Sequence, residues 1–432
     1  MQSQTALPPS KTSFLIFGLA FALMASKSPD SLSNPQFWAE DGTIFFAPQF
    51  GSHLPLIGTS YAGYFHVIPR LIAWLATFFG STKAPLVYNL FGCFLTTWSI
   101  YYTVQRLRPY IPLVLSLTIF LFTPTNGEIF GTLTNVQWFT QFALIALCLP
   151  VHAPANTLRK EALVAILTGL IALTGPASIF LTTVNIGIML FAWLLAKARP
   201  TRQITLGLNE YVSRLPKVRI AVTGLCALIQ IQCVLVHTPL DPHGVTGISQ
   251  YGIPMLAVIM LGRIIPTHVL GVYFLTPTLW IFIELGILVS LLRSKWLSLE
   301  VKVIALQLLA FSLLLVFSAA ALKDTEIMLR LMVGDRYFYT FKFVFWWLVY
   351  LTVIGHCKTR RKETLALVLC SIVYVGLINS SYLQRQPLQD LSWRTHAQEL
   401  KTPGPHQIPI NPTPWYFQVT TQPTPQINEK QP

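Results

Sequence analysis

The chain has 432 residues, of which 53% are hydrophobic and 11% charged, with a mean hydropathy of +0.56. Soluble domains carry about 25% charged residues, so this composition excludes an ordinary soluble domain and predicts a polytopic membrane protein. The 30 Lys and Arg outnumber the 16 Asp and Glu by 14, but most of the basic residues lie between apolar runs, where they orient a membrane protein, and no nucleic-acid partner is called for.

A membrane span needs about 20 apolar residues, fewer inside a bundle. The first run, near 12–26, follows Lys11, lacks a clean small-x-small cleavage site and reads as an uncleaved transmembrane helix. Further spans are predicted near 64–80, 84–105, 110–122, 135–150, 161–174, 176–197, 218–237, 276–293, 301–321, 338–356 and 364–380. The run 253–272 is interrupted by Arg263, Pro266 and His268 and is expected to lie in the interface as an amphipathic element. Cys93, Cys148, Cys226, Cys233, Cys357 and Cys370 lie within or at the edge of apolar runs without CxxC spacing, as small core residues do.

Three basic stretches mark the cytoplasmic side: Lys197 to Arg219, Arg293 to Lys302, and Lys358 to Lys362. The first loop, 27–63, and the segments 123–133, 238–252, 322–337 and 381 onward then face the other side. With the first loop outside, the chain from 64 to 122 must cross an even number of times, so one of its three apolar runs is not a span. The basic loop at Arg106 and Arg108 favours 64–80 as the odd one. The expected fold is therefore all-α: a transmembrane helix bundle of about 11 to 13 segments over residues 1–380. A Pro-rich outer part, 381–432, follows as an extended tail or a small cap.

The outer loops hold the candidate chemistry. In "NPQFWAEDGTIFFAPQFG" (34–51), Glu40 and Asp41 stand side by side among aromatic residues. Neighbouring side chains point about 100° apart on a helix, so the two are expected to do different things. They read either as solvated residues of an interfacial loop or as working carboxylates. In "YAGYFHVIPR" (61–70), Tyr64, His66 and Arg70 gather at the mouth of an apolar run, where ionisable groups are costly. "NGEIFGTLTNVQWF" (126–139) adds Glu128, Asn135, Gln137 and Trp138, a set suited to hydrogen-bonding hydroxyls and stacking on a sugar ring. In 322–337, Lys323, Arg330 and Arg336 stand on the disfavoured side for basic residues. They suit an anionic ligand such as a lipid phosphate, or else pair internally, Asp335 with Arg330 or Arg336. Arg263, His268 and Glu284 are weaker candidates. No nucleotide-loop, zinc-protease, nucleophile-elbow or dinucleotide motif is present.

The stretches "FWAEDGTIFF", "YAGYFHVIPRLIA", "TNVQWF", "TGPASIFL", "GDRYFYTFKFVF" and "INPTPW" resemble bacterial polytopic membrane proteins with a WAEDG motif. With a short first span, an acidic outer loop and a many-span bundle, they look like the C superfamily of membrane glycosyltransferases. The resemblance implies transfer of a sugar from a polyprenyl-phosphate donor to a lipid or polysaccharide acceptor, in a bacterial inner membrane with the site facing the periplasm or exterior. It also implies that Asp41 or Glu40 acts on the acceptor hydroxyl, sometimes with a divalent metal. Mg²⁺ or Mn²⁺ held by the pair through oxygen ligands stays an open alternative. Donor phosphate would meet Arg336, Arg330, Lys323, Arg70 and His66. Sugar or acceptor would meet Tyr64, Glu128, Asn135, Gln137 and Trp138. A transporter or flippase of lipid-linked sugars is the rival reading.

Overall fold

The computed structural model describes residues 11–150, 157–237, 246–273, 276–322 and 325–422. Its helices follow the apolar runs closely. They are α1 (Lys11–Ala25), α2 (Val67–Thr77), α3 (Ala84–Leu107), α4 (Leu113–Phe122), α5 (Gln137–Cys148), α6 (Leu158–Ala172) and α7 (Ala177–Ala198). After these come α8 (Gln203–Ser213), α9 (Lys217–His237), α10 (Gly247–Leu270), α11 (Pro277–Arg293), α12 (Leu299–Leu322), α13 (Tyr339–Ile354) and α14 (Arg360–Leu377). Four of these, α7, α9, α10 and α12, are long and apolar enough to cross a membrane.

Two segments behave differently from simple spans. Helix α2 has 11 residues, a length of about 16 Å against a hydrocarbon core of about 30 Å. It buries Ile72, Ala73 and Ala76, and α4, with 10 residues, is shorter still, so neither has the length of a full span. Helix α10 breaks at Gly252, where φ is +65°, and passes through a π-helical turn at Met260–Ile264. Its first residue, Gly247, lies against Ala320 and Thr325 at the end of α12, and Gly271, just past its last, lies against Met332, Pro124 and Asn379. Both ends therefore meet the loop-bearing face of the bundle, although in length and composition the helix is a candidate span and not the short interfacial element expected.

Helix α5 is the centre of the bundle: all twelve of its residues are buried, with α3 and α6 packed on it. Beyond it, α7 packs with α9 and α12, and α12 with α13. The six cysteines are free, four of them buried.

The described residues after 381, to 422, form a cap rather than an extended tail. It consists of α15 (Trp393–Glu399) and an antiparallel hairpin, β1 (Gly404–Pro409) with β2 (Tyr416–Thr421). The cap shares a core with the first loop: Trp393, Ile408, Ile410 and Phe417 pack with Phe37, Phe46 and neighbouring apolar residues. Trp393 meets Phe37 edge-on at 4.7 Å between ring centroids. Asn411 pairs its backbone with the first loop, donating to the Phe37 carbonyl at 3.2 Å and accepting from Ala39 N–H. Arg385 adds a bond to Asp30 at 2.8 Å, with both side chains largely buried. The boundary at 380 thus marks a change of composition but not of core.

Candidate functional site

The acidic pair sits where the first loop passes between the bundle and the cap. Asp41 opens a π-helical turn, Asp41–Phe46, a local form frequent at functional sites. Gly42 is needed next to it, because a Cβ there would lie 2.8 Å from Ile410 and 3.1 Å from Phe417 of the cap.

The two carboxylates have separate surroundings. Asp41 is fully buried, and its oxygens accept Leu133 N–H at 3.0 Å and Thr134 N–H at 2.7 Å. These amides begin the helical segment that continues into α5, so Asp41 serves as an anionic cap where the helix dipole favours negative charge. Burial nevertheless dominates and pushes its pKa from 3.8 to about 7, against the two amide bonds. Glu40 accepts from the Tyr61 hydroxyl at 3.4 Å through Oε1, and its Oε2 is shielded without a partner. Among the described residues no group of three or more His, Cys, Asp or Glu could hold a metal.

Around Glu40 the outer loops converge. Ala62 and Gly63, with φ of +53° and +84°, form a tight turn whose flanking Tyr61 and Tyr64 pair backbone to backbone. The turn needs positive φ at both centres, which Gly63 meets readily. Tyr64 stacks on His66 at 4.7 Å. Trp138, next along α5, meets Tyr337 edge-on at 5.2 Å. Arg336 lies over Tyr337 at 5.3 Å and 3.7 Å from Glu128. Burial raises the Glu128 pKa, with Arg336 opposing. Burial would lower the Arg336 pKa, but Tyr337, Glu128 and Glu40 more than offset it. Glu40 Oε2, Glu128 Oε1, Gln137 Oε1, Trp138 Nε1 and both ring nitrogens of His66 are shielded and lack a hydrogen-bond partner. Native interiors leave few such groups.

The other candidates have different surroundings. Asn135 donates to Glu128 O and Thr132 Oγ1, both at 3.0 Å, and ties its own loop. Arg70 donates to Ile44 O at 2.5 Å and lies over the Phe45 ring. His66 is fully buried, both of its ring nitrogens lack a hydrogen-bond partner, and burial, then the Arg70 charge, lower its pKa to about 3, so its ring is held neutral beside the turn. Arg330 is exposed, and Lys323 falls outside the described residues, as do 238–245.

Asp335 pairs with neither Arg330 nor Arg336. It accepts from Lys342 Nζ and meets His268 Nδ1 at 2.8 Å, all three side chains being fully buried. Lys342 also donates to Pro124 O at 2.6 Å, joining the turn that carries Arg336 to the loop that carries Glu128. Tyr337 and Lys342 went unremarked in the sequence because nothing in their spacing marks a site. A cleft of about 320 Å³ beside the first loop is lined by Phe46, Gln49, Phe50 and Phe78 among others, and by neither carboxylate.

No family model matches the chain, and no curated protein is significantly similar to it.

Proposed function

We propose that the chain is a membrane glycosyltransferase, moving a sugar from a polyprenyl-phosphate donor to a lipid or polysaccharide acceptor outside a bacterial cell membrane. The observation that carries this reading is the shielded, unpartnered Oε2 of Glu40, set among the open polar atoms of Glu128, Gln137 and Trp138. Glu40, rather than Asp41, is then the general base. Its Oε2 takes the proton of the acceptor hydroxyl while that oxygen attacks the anomeric carbon. The bond from that carbon to the lipid phosphate breaks on the opposite side, so configuration inverts. General-base catalysis of this kind contributes about 10²–10⁴-fold. Arg336, the basic residue nearest the cluster, stabilises the departing phosphate by charge-assisted hydrogen bonds. Trp138 and Tyr337 supply aromatic faces for the sugar, and no nucleotide is needed because the lipid phosphate is itself the leaving group. The resemblance to the C superfamily supports the same reading.

Purified protein given labelled polyprenyl-phosphate sugars and a membrane-lipid or glycan extract tests it. Wild type is expected to form a glycosidic product, and Glu40→Gln none, with thermal unfolding unchanged. Movement of the lipid-linked sugar across vesicles without a new glycosidic bond would replace this reading by transport.

A further inference from the structure

A groove of about 590 Å³ runs along the seam between α7 and α12, with α8 packed against both helices. Its walls are apolar: Ile188 and Phe191 of α7, Leu208 of α8, and Val303, Ala310 and Phe317 of α12 line it. From Val303 to Phe317 it follows α12 for about 21 Å, more than one leaflet's share of a hydrocarbon core of about 30 Å. Gly187 keeps it wide, since a Cβ there would meet nothing within 4 Å. Gln307, the polar residue of the lining, has its amide engaged: it donates to Asn185 Oδ1 at 2.7 Å and accepts from Tyr211 OH at 2.6 Å. These two bonds clasp α7, α12 and α8 together, so the groove is preformed.

The end of the groove nearest the α7–α8 turn carries charge. Trp193 is exposed on α7 with the Lys197 ammonium 4.0 Å from its ring centroid, as residues at the membrane interface are. Beyond them Arg199 and Arg202 are exposed on a turn fixed by Thr205, which donates its hydroxyl to Arg199 O at 2.8 Å and its N–H to Arg202 O at 2.9 Å. No acidic residue lies between Ala192 and Asn209. Arg199 stands about 12 Å past Phe191 along the helix axis, so a chain lying in the groove brings its head group to the level of the two guanidiniums. Within a bilayer an apolar groove fills with hydrocarbon, because water there would leave hydrogen bonds unmade. Arg forks match phosphate, and basic pockets beside transmembrane helices hold anionic lipid head groups. We propose that the groove holds one acyl chain of an anionic glycerophospholipid whose phosphate is bound by Arg199 and Arg202. The lipid braces α7 against α12, and this inference stands apart from sugar transfer.

The full chain, purified in detergent, is extracted for bound phospholipid, and its thermal unfolding midpoint is read with added phosphatidylglycerol or phosphatidylcholine of the same acyl chains. Wild type is expected to carry phospholipid through purification and to gain the larger rise in midpoint from phosphatidylglycerol, as a ligand that binds the folded state gives. Gly187→Leu fills the groove and should lose both the bound lipid and the rise, while Gly187→Ala leaves room and keeps both. Arg199→Gln with Arg202→Gln should keep a rise but make it equal for the two lipids, and this exposed pair decides alone if Gly187→Leu does not fold. Equal retention and equal rises in wild type and Gly187→Leu would mean a nonspecific annulus of lipid and overturn the proposal. A wild type that does not distinguish the two head groups overturns it as well.

Discussion

Asp41 accepts the backbone N–H of Thr134 at 2.7 Å across a sequence separation of 93 residues, while Glu40, one position earlier, keeps an oxygen without a partner. One step along the chain thus separates a structural post from the carboxylate proposed as general base. The post explains why the loop can present Glu40 at all: with Asp41 fixed on the start of the central helix, its neighbour is aimed into the cluster of Tyr61, Glu128 and Arg336.

The post is expected to make stability depend on pH. The folded-state pKa of Asp41, about 7, lies above its ordinary 3.8, so between these values the folded protein holds a proton that the unfolded chain has lost. Stability from this group is fully present below about pH 4 and falls as pH rises to about 7, by up to about 4 kcal/mol. Thermal unfolding in detergent across pH 4 to 8 should show this slope in wild type and lose it in Asp41→Asn. A wild-type midpoint indifferent to pH in this window contradicts the assignment.

The cap should be held chiefly from its first residues. Arg385 donates to Asp30 Oδ2 and to Ser31 Oγ at 2.8 and 2.9 Å, and Asp30 Oδ2 also accepts Leu388 N–H at 3.0 Å. Removing one partner of a buried pair costs about 3–5 kcal/mol. Asp30→Ala is therefore expected to free the cap, seen as rapid protease cleavage after residue 385 while the membrane-embedded fragment stays intact. Because Ile410 and Phe417 pack on Gly42, the same variant should lose sugar transfer. Protease resistance equal to wild type would show that the aromatic core alone holds the cap.

The helices were legible because runs of apolar residues between basic punctuation specify spans almost without regard to context. α7, read as 176–197, occupies Ala177–Ala198. What context decides was not legible. The Pro-rich composition after 381 left an extended tail and a small cap both open, and Trp393, Ile408, Ile410 and Phe417 find a core only by meeting Phe37 and Phe46 from the other end of the chain. Asp335 has Arg330 and Arg336 as near neighbours in sequence, but its partners come from two turns further, at Lys342, and from α10, at His268. Which of Glu40 and Asp41 meets the backbone of Leu133 and Thr134 depends on the loop's path, which no local pattern encodes.

The buried triad of Asp335, His268 and Lys342 yields a further expectation. Burial would raise the Asp335 pKa, but the Lys342 charge and the His268 bond hold it below the ordinary value. A depressed acid contributes stability above its unfolded pKa and loses it on acidification, the opposite sign to Asp41. Lys342→Met leaves the carboxylate unpaired, at a cost of about 3–5 kcal/mol, whereas Lys342→Met with Asp335→Leu removes both charges and should recover most of it. Unfolding midpoints of the single and double variants check this. A double variant no more stable than the single would mean that the triad's hydrogen bonds, and not its charge balance, hold the loops together.

Glu128 and Arg336 approach to 3.7 Å, too far for a hydrogen bond, so Arg336 is tethered without being saturated. A donor phosphate arriving at the site must compete with Glu128 for the guanidinium. On the proposed function, Glu128→Gln lowers that competition and is expected to lower KM for the lipid-phosphate donor. Arg336→Met removes the phosphate partner and should raise the donor KM and lower kcat, since the charge it neutralises grows in the transition state. Arg336→Lys keeps the charge without the two-pronged fork and should fall between. Because Glu128 also carries the loop fixed by Asn135, unfolding midpoints must accompany the kinetics. Equal donor KM in Glu128→Gln, Arg336→Met and wild type would remove the phosphate from this pair and place the leaving group elsewhere on the loop-bearing face.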